Sequence, residues 1–230
     1  MKTIGLIGGM SWESTTSYYQ LLNKQVRESL GKLHSAKLCL YSVDFNEIAE
    51  LQHKGDWQAT ADILIHAAQS VEACGADFVL ICTNTMHKVA DEVASSISIP
   101  ILHIADATAR QLLNDGVTRV GLLATKFTME QDFYKQRLID NFGIDVFIPE
   151  AHERQKVHDI IYQELCHGKI NDHSRQVYLE AIENLVINGA QAIILGCTEI
   201  GLLIQACHTN VPLYDTTEIH CKAATSAALK

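Results

Sequence analysis

The chain has 230 residues, 47% of them apolar, 20% charged and 7% aromatic, with three prolines, enough to bury a proper core as one large domain or two small ones. Eighteen Lys and Arg against twenty-seven Asp and Glu give a net charge of −9 with no basic cluster to relieve it, which argues against nucleic-acid or anionic-membrane partners. The longest apolar runs are five to seven residues, against the roughly 20 of a spanning helix, and the opening MKTIGLIGGM has no long apolar region with a cleavage site, so no membrane span and a cytoplasmic location are expected.

In chain order, the first apolar run is Thr3–Ile7, followed by Gly8-Gly9-Met10. The glycine pair is either a tight turn or a place where backbone approaches a ligand closely, and Met10 is a candidate to line the site. Gly5-x-x-Gly8-Gly9 departs from the G-x-G-x-x-G fingerprint, and Asp44 lies well beyond the expected distance of about 20 residues, so dinucleotide binding is disfavoured. A second run spans Lys37–Val43, and Gln52, after its loop, can hydrogen-bond a side-chain carboxylate. Ile63, Leu64, Ala67, Val71 and Cys74 then keep a helical spacing up to Gly75, at a C-cap position. The third and fourth runs, Phe78–Cys82 and Ile99–Ile104, enclose Thr83-Asn84-Thr85.

The same alternation resumes with Arg119–Leu123, followed by Thr125, another candidate to line the site, and with Ile144–Ile148. Helical patterns follow at Val157, Ile160, Ile161 and Leu165 and again at Tyr178, Ile182 and Leu185. Runs at Ala192–Leu195 and Val211–Tyr214 and a last helix, Thr217–Leu229, complete the chain. Short β-branched runs bounded by Gly, Pro or Asp read as strands buried on both faces, and strand–helix alternation predicts a mainly parallel α/β architecture.

The second half repeats the first. Thr3–Ile7 resembles Arg119–Leu123 at an offset of 116, which also lays Tyr18 on Tyr134; Phe78–Ile81 falls on Ala192–Leu195 at 114; Ile99-Pro100-Ile101 resembles Val211-Pro212-Leu213 at 112. Two pseudo-symmetric domains are expected, each a four-stranded mainly parallel sheet flanked by helices: residues 1–103 with 214–230 returning to them, and residues 104–213. Ligands gather at the carboxyl ends of such strands, so the expected active site is a crevice between the halves.

The offset of 114 places Cys197 on Thr83. Two proton-handling groups on opposite sides of a small ligand can take a proton from one face of a carbon and return one to the other, inverting it. A thiol suits one side if a helix N-terminus lowers its pKa. Asn84, Thr85 and Thr198, with exposed backbone N–H groups, can hold a carboxylate; Glu199 can orient Cys197 or a substrate ammonium. Cys82 is one step along the strand from Thr83 and so points to the opposite face, into the core. A dicarboxylate ligand also wants a cation, for which Lys169, Arg154 and Arg175 are candidates. The seven cysteines are irregularly spaced and read as free thiols, and no ligand spacing indicates a metal.

Taken together, CTNTMH, GCTEIGLL, IGLIGGMSWEST, HIADAT and PLYDTTEIH resemble the aspartate/glutamate racemase family over essentially the whole chain. The resemblance implies two similar α/β halves, a cofactor-independent inversion at Cα of an acidic amino acid, and a dimeric habit. It further implies two cysteine bases, one per half, of which Cys197 matches the second. Thr83 stands where the first is expected. A hydroxyl is a far weaker acid than a thiol, so Thr83 needs a polarising neighbour, His87 being one candidate. A decarboxylase or cis–trans isomerase of small diacids on the same scaffold, and a non-catalytic amino-acid binder, are the alternative readings.

Overall fold

The computed structural model describes residues 1–230 as two compact units, one of Met1–Ile104 with His220–Lys230 and one of Ala105–Ile219. In the first, β1 (Ile4–Gly8) lies between β2 (Leu38–Ser42) and β3 (Phe78–Ile81), all parallel. Alternation across the pleat divides the core. Ile4, Leu6, Phe78, Leu80 and Cys82 pack with Tyr18 and Leu22 of α1 (Trp12–Leu30) and with Cys221, Ala224 and Ala228. Ile7, Val79 and Ile81 face the other way, onto Ile48 of α2 (Phe45–Lys54) and onto Leu64, Ala67 and Val71 of α3 (Trp57–Ala73).

The fourth predicted strand of this unit is reduced to one bridge, Val79 to Ile101. The reason lies in where the following backbone groups go. His220 Nε2 lies 2.7 Å from the carbonyl of Leu102, and His87 Nε2 accepts the Ile104 N–H at 3.2 Å. Histidine side chains take the groups that would have continued the ladder, and the chain turns at once into α5 (Ile104–Asn114).

The second unit has the full four parallel strands in the order β5 (Asp145–Phe147), β4 (Arg119–Ala124), β6 (Ala192–Gly196), β7 (Leu213–Asp215). Its register repeats that of the first. Ile4 pairs with Phe78 where Val120 pairs with Ala192, and the Val79–Ile101 bridge recurs as Ile193–Leu213. Helix packing repeats as well. A Cβ on Gly5 would sit 3.0 Å from Val71 Cγ2, and one on Gly121 would sit 2.9 Å from Leu185 Cδ1 of α9 (Asp172–Ile187). Each central strand therefore carries a glycine that lets a helix settle onto it. Tyr18 and Tyr134 are both fully buried. The last helix, α11 (Thr216–Leu229), contributes its residues from His220 onward to the first unit, where the Ala228 carbonyl accepts the Lys2 N–H at 2.8 Å.

Gly8 and Gly9 are occupied by the chain's own neighbours. A Cβ on Gly8 would meet the side chain of Thr15, and Gly9, at φ +92°, is pressed against the backbone of Val43. Thr15 Oγ1 accepts the Gly9 N–H at 2.7 Å and donates to the Ser11 carbonyl at 2.9 Å. The glycine pair thus closes the turn from β1 into α1. Gly9→Ala is expected to cost about 3 kcal/mol or more, because positive φ and a backbone clash add. Gly55→Ala, at φ +73° with open space around it, is expected to cost only about 1 kcal/mol. Urea unfolding of the two variants beside the wild type measures the difference.

Candidate active site

Strands β3 and β6 are buried throughout, and polar groups first appear beyond their carboxyl ends. In the first unit these follow β3. Thr83 is half-buried, and Asn84 and Thr85 are buried, at the entry to a 3-10 turn over Thr85–Val89. His87 Nδ1 is 2.8 Å from the Thr83 carbonyl. A carbonyl can only accept, so Nδ1 carries the proton, while Nε2 accepts from Ile104; the neutral tautomer satisfies both bonds. His87 thus braces the main chain of the tip through the carbonyl of Thr83, where the sequence suggested a partner for its hydroxyl. Ser14 Oγ, in the first turn of α1, donates to the Cys82 carbonyl at 3.2 Å. Cys82 itself is fully buried, and burial holds its thiol far above the ordinary range.

Behind this tip lie two further histidines. The His103 ring is 4.4 Å and the His220 ring 6.1 Å from that of His87. His220 is fully buried, accepts from Tyr18 Oη at 2.8 Å through Nδ1, and donates through Nε2 to Leu102. Burial first, and then the nearby His87, push its pKa down to about 3. Met10 packs in the core with Ile7, Ile48 and Met86. Gln52 lies on α2; it is buried, and its Nε2 is 3.0 Å from Met86 Sδ.

In the second unit the tip follows β6. Cys197, Thr198 and Glu199 are all buried. The Cys197 thiol donates to Glu199 Oε2 at 3.0 Å, and Thr198 Oγ1 donates to the same oxygen at 2.7 Å. The helix that follows, α10 (Ile200–Leu203), is a single turn. Burial first, and then the Glu199 carboxylate, hold Cys197 well above the usual thiol value. The resting group is therefore a thiol hydrogen-bonded to a carboxylate, contrary to the lowered pKa that a helix N-terminus suggested. Tyr162 and Tyr178, from α8 (Ala151–Gln163) and α9, and Cys166 are electrostatic neighbours of Cys197. No spacing rule ties these residues to the tip, and sequence reasoning missed them.

Thr125 is the N-cap of α6 (Lys126–Glu130), its Oγ1 3.2 Å from Thr128 Oγ1. Lys169 is exposed, in the turn before α9. The other two candidate cations have structural partners. Arg154 pairs with Glu130 at 3.1 Å and donates to the Pro149 carbonyl at 2.7 Å. Arg175 donates to the Leu203 carbonyl at 3.0 Å and pairs with Asp172. No group of three or more His, Cys, Asp or Glu is arranged to hold a metal ion, and no helix is long and apolar enough to cross a membrane.

A family profile described as Asp/Glu/Hydantoin racemase matches residues 7–224. The chain belongs to the Asp/Glu/hydantoin racemase family. This family member is 24% identical to the broad specificity amino-acid racemase RacX of Bacillus subtilis (strain 168), over 98% of each chain. A Yersinia pestis crystal structure assigned to the Asp/Glu racemases is 53% identical, with a TM-score of 0.93 and full coverage of both chains. An aspartate racemase homologue from Pyrococcus horikoshii OT3 is 35% identical, with a TM-score of 0.86 and full coverage of both. Family and relatives alike make the chain an isomerase of the amino-acid racemase class.

Two outcomes check the electrostatics of this racemase. His220 is held neutral by the fold, so between about pH 6.5 and 3 the unfolded chain binds one proton more. Its contribution to stability is complete above pH 6.5 and is lost as pH falls, at up to about 1.4 kcal/mol per pH unit. Urea unfolding at pH 7, 6 and 5 is expected to show a steeper loss in the wild type than in His220→Gln. At the second tip, alkylation of Cys197 by iodoacetamide at pH 8 is expected to be at least about tenfold slower than that of exposed Cys207. Glu199→Gln, which removes the carboxylate beside the thiol, is expected to speed it, as read by site-resolved mass spectrometry.

Proposed function

We propose that this racemase acts on an acidic amino acid, aspartate or glutamate, without a cofactor, with Cys197 handling the Cα proton on one face and the hydroxyl of Thr83 serving the other. The observation that carries the reading is the buried Cys197–Glu199 contact at the carboxyl end of β6, in a chain of the Asp/Glu/hydantoin racemase family. The burial that raises the thiol's pKa also makes its conjugate thiolate a strong base, which suits a weakly acidic Cα–H. Glu199, which accepts a hydrogen bond from the thiol, is assigned to take its proton as that base forms. The negative charge developing at Cα passes into the α-carboxylate, where hydroxyl and amide donors stabilise it. Asn84, Thr85 and Thr198 are assigned to this role, Glu199 also to the substrate ammonium, and Lys169 to the side-chain carboxylate. Met10, Gln52 and Thr125 are assigned to the walls of the site.

The chemical inequality of a thiol and an alcohol has a kinetic consequence. Enantiomers are equally stable in achiral water, so kcat/KM must be the same in both directions. Only kcat and KM individually can differ, and by the same factor. The proposal expects them to differ severalfold between L and D substrates, followed by chiral chromatography at saturating concentration. Cys197→Ala is expected to lower kcat by at least about a thousandfold in both directions. Thr83→Ala is expected to lower it less, and Thr83→Cys to bring the two directions closer together. Activity is expected to rise with pH above the value of an ordinary thiol, following the direction in which Cys197 is shifted. Matched kcat and KM in both directions would remove the role given to Thr83; no turnover of either amino acid would remove the substrate class.

A further inference from the structure

Cys39 is the second residue of β2, the edge strand of the first sheet, and Cys74 is the C-cap of α3. They are 35 positions apart in the chain, yet their sulfurs lie 2.6 Å from each other, and Cys39 Sγ is 3.5 Å from the Cys74 carbonyl. Both are free thiols. A disulfide needs a sulfur separation of about 2.05 Å, so closure asks for a shift of about half an ångström. Cys39 is buried and Cys74 exposed: one sulfur meets solutes while the other waits directly behind it.

We propose that Cys39 and Cys74 form a redox-modification site, at which a hydroperoxide such as hydrogen peroxide converts the pair to an intrachain disulfide. In the first step the sulfur of Cys74, as thiolate, attacks the peroxide. An S–O bond forms, the O–O bond breaks, and the departing hydroxide leaves as water after taking up the proton Cys74 released. In the second step Cys39 attacks the Cys74 sulfenic acid: the S–S bond forms, the S–O bond breaks, and the Cys39 proton departs with the second water. Two thiols lose two electrons and one hydrogen peroxide gains them, giving one disulfide and two waters. Burial, and then the neighbouring Cys74 thiol, raise Cys39 to about 11, and its S–H is donated toward Cys74. Cys39 therefore stays protonated while the exposed partner reacts first. The bond ties the edge strand to the end of α3 and closes a loop that contains all of α2.

The test uses the full-length chain treated with hydrogen peroxide. Thiols counted under denaturing conditions are expected to fall from seven to five, and a peptide map that separates Cys74 from Cys82 is expected to show one Cys39–Cys74 cross-link in a chain of monomer mass. The melting temperature is expected to rise by about 5 °C or more, to return on treatment with dithiothreitol, and to stay unmoved by peroxide in Cys39→Ser and in Cys74→Ser. The exposed position of Cys74 makes its variant the one expected to fold unchanged. Seven persisting thiols would overturn the proposal. So would a covalent dimer joined through Cys74, or a cross-link from Cys74 to a cysteine other than Cys39. Each readout is independent of amino-acid turnover, so it stands or falls apart from the racemase reading.

Discussion

Burial of the central strands on both faces is the constraint from which the rest follows. Every residue of β1, β3 and β6 is buried, so none of them has a solvent side on which a polar group can be carried. Chemistry-bearing residues are excluded until the strand ends, and there they appear at once: Thr83-Asn84-Thr85 after β3, Cys197-Thr198-Glu199 after β6. The backbone at each tip must find partners without a neighbouring strand. The Thr83 carbonyl accepts from His87 and the Cys197 carbonyl from the Ile200 N–H at 3.1 Å. The tips are held by their own local bonds, which is what fixes the direction of their side chains.

The two repeats have kept their scaffold and diverged at these tips. Register, the glycine under the helix and the buried tyrosine of α1 and of α7 (Asp132–Phe142) are shared. What surrounds the tips is not. Cys197 faces a carboxylate that also binds Thr198, an acidic setting that keeps the proton on sulfur. The first tip is backed by three imidazoles and Tyr18, among which His220 is too deeply buried to charge. At one tip a buried thiol keeps its proton beside a carboxylate; at the other an imidazole braces the backbone. In the proposed reaction this division makes the two directions of catalysis chemically different while leaving their equilibrium untouched.

Much of this was legible in the sequence. Short apolar runs predicted the strands because a strand buried twice must be apolar throughout, and the offsets of 112 to 116 predicted the shared register because a duplicated unit repeats its pairings. The strand expected at Ile99–Ile104 shrank to a bridge because distant histidines capture its backbone, a tertiary effect with no local signal. That Gln52 sits within a helix and turns inward had no clear signal, because α2 begins in the polar stretch directly after β2. The lowered thiol pKa expected of Cys197 is overridden first by burial, which disfavours the thiolate, and then by the Glu199 carboxylate two residues on; the single turn of α10 carries little dipole to oppose them. Tyr162, Tyr178 and Cys166 come from helices remote in sequence, and the Cys39–Cys74 pair joins a strand to a helix end; neither grouping leaves a spacing pattern.

The central claim, that two separate groups handle the proton on opposite faces of Cα, is tested most directly by following isotope at that carbon. Each enantiomer of aspartate and glutamate is incubated with the enzyme in deuterium oxide, and at low conversion substrate and product are separated and examined by proton NMR. The account predicts that the product carries deuterium at Cα while the recovered substrate keeps its protium, because the group that removes the hydrogen is not the one that returns it. Deuterium appearing equally in recovered substrate and product, or protium carried across into the product, would assign both transfers to a single group and contradict it.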